Sequence, residues 1–506
     1  MKELEKIKSV CPECLKKGKV NVVPATVIEK DGRVWIRKEC TKHGTFESIF
    51  FGDVNLYKKW MKYKVTGREM PEIKTQFFDD PLLYDVHRSQ TVLTNLMATN
   101  RCNLRCSYCF MNAGASGYVY EPDLNQIRWL LKQAREQKPI GSKALQITGG
   151  EPTIRDDLFE IINMAEDLGF THVQLNTNGI KLAEDLDFCR KVRESGVNTI
   201  YMSFDGVSNE TNHWLKQSKK AIENLREVGQ MLTLVPVLSG DNIHETGEII
   251  NFALKNLDVV RAVNFQPISF CGRLDKINDK KRKDQRVDYV KMMEAIEKDF
   301  QGKISRDDFY PVPFVFPVSK IIEKLTGIPQ VELTAHPGCG GATYLFIEDG
   351  EPIPITRFLD VEGLMDFVNY QSEKKGILKK VRIGAAFLKE VNKYIDKEKA
   401  PKGFDLKEIL KGAVLGGSYD SLRQFHYKSL FVGSMWFQDP WNLNIERLKR
   451  CVIHYTTLEG MVPFCAYNGL GYGEKIRKKH SISIKEWENK VNRKMKDDLW
   501  KGGRIS

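Results

Sequence analysis

Cys102-Asn-Leu-Arg-Cys106-Ser-Tyr-Cys109-Phe110 is a C-x3-C-x2-C loop that directly follows the apolar run Thr91–Ala98. Three thiolates so spaced hold three corners of a [4Fe–4S] cube and leave the fourth iron open to a small molecule. A zinc loop short of one ligand, or three buried thiols, is the plainer alternative. Position decides between them, because the loop ends a strand and active sites of β/α barrels lie on that face.

The surrounding sequence supplies the barrel. Strand-like runs at Thr91–Ala98, Ala144–Thr148, His172–Asn176, Thr199–Phe204, Leu232–Leu238 and Val259–Gln266 alternate with helix-like segments near Asp123–Glu136, Asp156–Leu168, Ala183–Ser195, Lys216–Val228 and Glu245–Lys255. Asp123 and Asp156 stand where N-caps belong. Six β/α repeats predict an α/β fold, a partial (β/α)6 barrel over residues 89–272 with its reactive loops at the strand C-terminal ends. Residues 1–60 read as a small metal domain, 61–88 as a connector and 273–506 as an α+β cap that closes over the substrate.

The 506 residues suggest roughly three domains. Apolar residues at 42% and charged residues at 28% exclude a long disordered or collagen-like chain. No run approaches a membrane span, and the first residues lack a secretory apolar stretch, so a cytoplasmic protein is expected. A net charge of +12 favours anionic partners. Eleven cysteines in a reducing compartment point to metal rather than disulfides.

With these motifs in place, the chain resembles the radical S-adenosylmethionine (SAM) superfamily, whose signature is this triad with an aromatic before the last cysteine, here Tyr108. Thr148-Gly149-Gly150-Glu151-Pro152 matches the segment that holds the SAM amino group, and the glycines would let the backbone approach a ligand. Asn176-Thr-Asn178-Gly179 and Ser203-Phe-Asp205-Gly206 resemble segments that contact the ribose and methionyl parts, so Asn176, Ser203 and Asp205 join the expected cofactor site. The resemblance implies that a reduced cluster cleaves SAM to a 5′-deoxyadenosyl radical, which abstracts hydrogen from an unactivated C–H bond. An electron donor such as a ferredoxin or flavodoxin is implied with it.

Cys11, Cys14, Cys40 and His43 form two knuckle-like pairs separated by a hairpin signal at Asp31-Gly32, as in a four-coordinate zinc ribbon or a rubredoxin-like iron site. Cys189 lies in a helix-like segment and reads as core. Cys271, Cys339, Cys451 and Cys465 are candidates for an auxiliary [4Fe–4S] cluster, with His336 and His454 in reserve; Cys451 and Cys465 bracket the hairpin pattern of Val452–Thr457 and Gly460–Phe464.

The overall plan looks most like the archaeal tetraether lipid synthases, on the ribbon, the cysteine loop and the late Arg450-Cys-Val-Ile-His454-Tyr and Val462-Pro-Phe-Cys465-Ala-Tyr-Asn468 segments. That resemblance implies C–C bond formation between saturated isoprenoid chains. Its substrate would be an isoprenoid glycerol lipid, met at the inner face of an anionic membrane. The basic segments Gly376–Tyr394 and Phe404–Leu415 could lie on such a surface, or dock on the protein's own core. Trp436, Phe437 and Trp441 read as core or cavity wall. The alternative readings are a radical SAM methyltransferase of a pterin precursor and a peptide- or tRNA-modifying enzyme; nucleic acid is not the expected partner.

Overall fold

The computed structural model describes residues 1–68, 89–274, 276–375, 379–407 and 429–502. Most of the expected connector, Asp275, Gly376–Leu378 and the end of the Phe404–Leu415 segment lie outside the described residues.

The first fifty residues form an antiparallel meander of β1 (Lys2–Val10), β2 (Val22–Lys30), β3 (Arg33–Cys40) and β4 (Gly44–Phe51). Asp31 and Gly32, at φ 52° and 71°, make the two-residue turn that pairs Lys30 with Arg33. Cys11 caps the short helix Pro12–Lys16, and the Cys40–Gly44 turn delivers His43 opposite it. The His43 Nδ1 atom lies 3.4 Å from Cys11 Sγ, 3.4 Å from Cys14 Sγ and 3.7 Å from Cys40 Sγ. A tetrahedral ion with Zn–S and Zn–N bond lengths has an S···N edge of about 3.6 Å, so this donor set fits a single mononuclear metal. Asn21 Nδ2 donates to the sulfurs of Cys14 and Cys40, which supports thiolates there.

The barrel strands are β5 (Leu93–Thr99), then β7 (Ala144–Gly149), β8 (His172–Thr177), β9 (Thr199–Ser203), β10 (Leu232–Val235) and β12 (Val260–Pro267), after the short β6 (Tyr118–Val119) and β11 (Val237–Leu238). The C-terminal segment adds β13 (Tyr310–Pro311), β14 (Gly340–Glu348), β15 (Glu351–Pro354), β16 (Ser429–Met435), β17 (Ile453–Thr457), β18 (Gly460–Pro463) and β19 (Ile482–Ser483). The six β/α strands pair in parallel in the order β5-β7-β8-β9-β10-β12. Two strands from the C-terminal segment continue the parallel array, β17 beside β5 and β16 beside β12. Helices Leu124–Arg135, Leu158–Asp167, Leu186–Glu194, Leu215–Glu227 and Thr246–Leu254 cover the outside. The first opens on a capping box between Asp123 and Gln126. Ile147, Leu175, Ile200, Leu234 and Val263 are fully buried in this outer layer, each stabilising the fold by about 1.5–3 kcal/mol.

The helix Lys379–Glu390 corrects the membrane expectation. Its Ile383 and Phe387 are buried against Ile321, Phe346, Leu364 and Val368, so the apolar face serves the protein's own core. Among the described residues no helix is long and apolar enough to cross a membrane.

The ribbon is docked through Lys38, whose buried ammonium donates to Ser9 Oγ, Val10 O and Pro440 O at 3.0, 3.3 and 2.7 Å. Metal binding contributes on the order of 10 kcal/mol to the folding of such a small domain at neutral pH. Cys40→Ser is therefore expected to remove one non-cluster metal atom per chain, read by elemental analysis, and to expose Trp35 and Trp441, read as a red-shifted fluorescence. Full retention of that metal would refute the ligand set.

Candidate active site

The cysteine loop leaves the end of β5 and is braced by two guanidiniums. Arg105 donates to Cys102 O and Leu104 O at 2.7 and 2.8 Å, and Arg273 spans Cys106 O, Asn112 Oδ1 and Ala113 O at 2.5, 3.0 and 2.5 Å. The three thiols face one chamber. Burial pushes the Cys106 thiol up to about 12, with Cys109 adding to it, and drives Cys102 well above the ordinary thiol range. Bare thiolates are thus disfavoured here, and a positively charged iron core would relieve that cost. Leu104 N and Ala113 N already donate to the sulfurs of Cys102 and Cys109, each at 3.4 Å. The donor set fits a [4Fe–4S] cluster held at three corners.

The glycines line the chamber and also admit a second backbone segment. Gly150 N donates to Thr99 O at 2.7 Å and Glu151 N to Arg101 O at 2.8 Å, so the end of β7 lies directly on the stem of the cysteine loop. A Cβ at Gly149, whose φ is +150°, would stand 2.2 Å from Thr99 O, and one at Gly150 would stand 1.9 Å from Arg101 O. The buried Glu151 carboxylate then gathers Thr153 N, Thr153 Oγ1, Thr177 Oγ1 and Asn178 N at 3.1, 2.7, 2.8 and 2.8 Å. It ties the ends of β7 and β8 together. Burial raises its pKa despite these donors.

Asn176 donates to Thr148 Oγ1 at 3.1 Å, and Ser203 faces the chamber. Tyr108 donates its hydroxyl to Asp205 Oδ2, while Val237 N holds Asp205 Oδ1 at 2.8 Å. Burial lifts the Asp205 carboxyl to about 6. Tyr108, Asp205 and the β9 end therefore form one unit beside the loop.

The chamber encloses about 470 Å³ and runs from the Cys102, Cys106 and Cys109 thiols to Cys465. Its wall is built from the inward positions of the strands: Asn95, Gln146, Gln174, Tyr201, Thr233 and Asn264. Asn95 pairs in register with Gln146, and Gln146 with Gln174. Asn95 is 1% exposed, yet neither its oxygen nor its nitrogen has a hydrogen-bond partner among the described residues. Sequence reasoning missed this layer. The signal was present as polar residues at every second position of otherwise apolar strands, as in Leu145-Gln-Ile-Thr148 and Val173-Gln-Leu-Asn176.

The other cysteines divide. Cys271 abuts the cysteine loop, since Arg273 N bonds Cys109 O at 3.2 Å and Gly272 lies against Phe110 O. Burial pushes the Cys451 and Cys465 thiols up, with Cys339 adding to both and Cys465 to Cys451, so the three sulfurs lie near one another, with Arg447 Nε 3.2 Å from Cys339 Sγ. His336 accepts from Gly338 N through Nδ1 at 3.0 Å, and its Nε2 is buried without a partner among the described residues. His454 Nδ1 pairs with Thr91 Oγ1 at 3.1 Å. Cys189 is core, as expected, with its thiol on Leu182 O. Phe437 walls the chamber; Trp436 is fully buried, edge-on to Tyr289.

Comparison with known proteins places this geometry. The Radical SAM superfamily profile matches residues 96–253, and the HMPTM N-terminal zinc ribbon domain matches residues 3–52. The 7,8-dihydro-6-hydroxymethylpterin dimethyltransferase of Methanocaldococcus jannaschii is 41% identical over 501 residues, which covers 96% of this chain and 97% of that protein. A probable GTP 3',8-cyclase of Methanothermobacter marburgensis is 28% identical over 37% of this chain and 62% of its own. Among solved structures, Streptococcus suis SuiB bound to S-adenosylmethionine covers 42% of this chain and 47% of its own, at 18% identity and a TM-score of 0.34. The near full-length pterin-enzyme relative overturns the expected kinship with tetraether lipid synthases, and with it the coupling of isoprenoid chains. The chamber gives the physical reason: a saturated chain would leave the buried Asn95 amide of its wall without hydrogen-bond partners. A [4Fe–4S] cluster, SAM and a mononuclear ribbon metal are the cofactors of this kind of chain. The chain belongs to the radical SAM superfamily and, within it, to the family of the Methanocaldococcus jannaschii dimethyltransferase.

Proposed function

We propose that the chain methylates a reduced pterin of the 6-hydroxymethyl-7,8-dihydropterin type. The observation that carries this reading is the carboxamide-lined chamber beside the cysteine loop, in a chain 41% identical over almost its whole length to an enzyme named for that substrate. A pterin presents a row of ring N–H donors, ring nitrogens and a carbonyl, which are the partners that unpaired amides require. Asn95 is suited to such an edge because its amide offers an acceptor and a donor side by side, both unused. Hydrogen bonds to buried neutral partners discriminate strongly against analogues that lack them.

When bound, the reduced cluster and SAM supply a 5′-deoxyadenosyl radical. The chain's own part is placement and exclusion. Glu151 and the two glycines fix the end of β7 against the loop that carries the cluster ligands. Tyr108 and Asp205 close one side, and Phe437 and Phe464, stacked at 3.9 Å, close the side toward Cys465. Such a wall keeps water and other quenchers from a radical.

Cys339, Cys451 and Cys465 are proposed as ligands of an auxiliary [4Fe–4S] cluster. Arg447 Nε donates to the Cys339 sulfur at 3.2 Å, and Cys465 opens on the chamber. Cys271 stands at the same chamber beside the cysteine loop and is the candidate for a fourth thiolate.

Anaerobically reconstituted protein given SAM, a strong reductant and 7,8-dihydro-6-hydroxymethylpterin is expected to yield pterin heavier by one or two CH2 units, read by mass spectrometry after oxidation. Unchanged pterin together with rapid 5′-deoxyadenosine formation would refute the substrate. Asn95→Leu should lower kcat/KM for the pterin by about 10- to 100-fold, one to two good hydrogen bonds, while uncoupled SAM cleavage persists. The triple variant Cys339→Ala, Cys451→Ala, Cys465→Ala should lose about four irons per chain, one cube, and keep the SAM-dependent change in the spectrum of the remaining cluster. Undiminished iron would rule the auxiliary cluster out.

A further inference from the structure

A second cavity, of about 660 Å³, opens on the outer side of the cysteine loop between the ribbon knuckle, residues 270–273 with Lys276, and the helix Tyr472–Lys479. Lys16, Arg273, Lys276, Lys475, Arg477 and Lys478 line it, against Glu474 as the sole acid among the described lining residues. Their roles differ. Arg273 and Arg477 are immobilised at the floor, Arg273 on Cys106 O and Ala113 O and Arg477 on Met111 O and Tyr467 Oη. Lys276, Lys475 and Lys478 are exposed at the rim and make no ion pair among the described residues. Lys16 is tied to Glu13 at 2.8 Å and lies 5.2 Å from the Trp441 ring.

Like charges gathered round a concavity repel one another and focus field into it. The arrangement is stabilised when an anion occupies it. The volume matches that of a small organic ligand, and the recessed, fixed guanidiniums suit a compact anion better than the flat face of a macromolecule. Phe110, Met111, Cys271 and Asn468 line both cavities, so one thin wall separates this site from the reaction chamber.

We propose that this cavity is a second binding site, distinct from the pterin chamber, for a small organic anion bearing phosphate or carboxylate groups, with the anion on the rim lysines and the remainder against the Phe110 wall. The site does not depend on what is methylated in the chamber. It gives the enzyme a position for a second substrate or effector in contact with the loop that carries the cluster ligands.

Pyrophosphate and citrate serve as the probes, titrated calorimetrically into the reconstituted full-length protein. At least one is expected to bind, more weakly as salt is raised, and the stronger of the two identifies the anion as phosphate or carboxylate. Lys276→Glu, Lys475→Glu, Lys478→Glu together should weaken that binding by more than about tenfold, or 1.4 kcal/mol, and the matching glutamine variant should weaken it less. SAM cleavage in the absence of the probe should be unchanged in both. Failure of both probes to bind at millimolar concentration, or equal affinity in the glutamate variant, would overturn the proposal. Rim-dependent reduction by an acidic redox protein with no probe binding would reassign the patch to protein docking and overturn it as well.

Discussion

Everything at this site depends on two backbone strands being allowed to touch. The end of β7 lies on Thr99–Arg101 through the hydrogen bonds of Gly150 N and Glu151 N, at a separation where one methyl group at position 149 or 150 would collide with a carbonyl oxygen. Because Cys102 follows Arg101 directly, this contact sets where the cysteine loop begins. Glu151 then converts a contact between two strands into one among three segments by collecting donors from residues 153, 177 and 178. Four donors on one buried carboxylate are an expensive arrangement to desolvate, and they are retained because each satisfies a group at a strand end that no ladder partner could reach. Position of the loop, and hence of any cluster on it, is fixed by backbone geometry rather than by the cysteines.

The interior of the barrel follows from the same pleat. Outward positions such as Ile147 and Leu175 meet helices and are apolar, while the intervening Gln146 and Gln174 turn inward. In a closed (β/α)8 barrel those inward positions fill with branched apolar side chains. Here a layer of them, from Asn95 to Asn264, is amides and hydroxyls among apolar neighbours such as Leu93 and Val235, and the sheet is left open enough to enclose a chamber. The same residues that weaken the barrel as a core strengthen it as a recognition surface, since amides left dry cost several kcal/mol and a ligand with matching edges recovers it. An apolar substrate recovers none.

How much of this was legible varied with how local the signal was. The six barrel strands and five covering helices were readable to within a few residues, because period-two and period-3.6 patterns are properties of short windows. The metal knuckles and the Gly-Gly-Glu turn were legible for the same reason. β1 was missed because its charged residues face solvent on an edge strand and hide the alternation, and β16 because its parallel partner β12 is remote in the chain; β17 was legible as one arm of a hairpin with β18, but not its place beside β5. The pleat carried the chamber's polarity in plain sight, yet attention to apolar positions alone passed over it. Substrate was misjudged for a different reason: the ribbon, the cysteine loop and the late Arg450 and Cys465 segments resemble those of tetraether lipid synthases without specifying a substrate, and a basic amphipathic segment suggests a membrane equally well whether its apolar face is free or, as found for Ile383 and Phe387, covered by Leu364 and Val368.

The segment 436–444 shows why ribbon, barrel and C-terminal region behave as one machine. Trp436 is core, Phe437 walls the chamber, and Gln438 N donates to the sulfur of Cys465 at 3.3 Å. Asp439 is buried and ionised: desolvation acts against its charge, but Arg286, Phe270 N and Trp441 N together hold its carboxyl below the usual range. Pro440 O accepts the ribbon's Lys38, Trp441 lies 3.9 Å from the Arg282 guanidinium and edge-on to Phe46 of the ribbon, and Leu443 O accepts Ser9. Loss of the ribbon would strip Pro440 O and Leu443 O of their donors and uncover the Trp441 face, so the loop would gain freedom at both of its ends. The first groups to feel that freedom are Gln438 and Phe437, which touch the Cys465 sulfur and the chamber. A metal held by residues 11–43 is thereby coupled, through buried hydrogen bonds and no conformational relay, to the shape of a cavity formed mainly by residues 93–271.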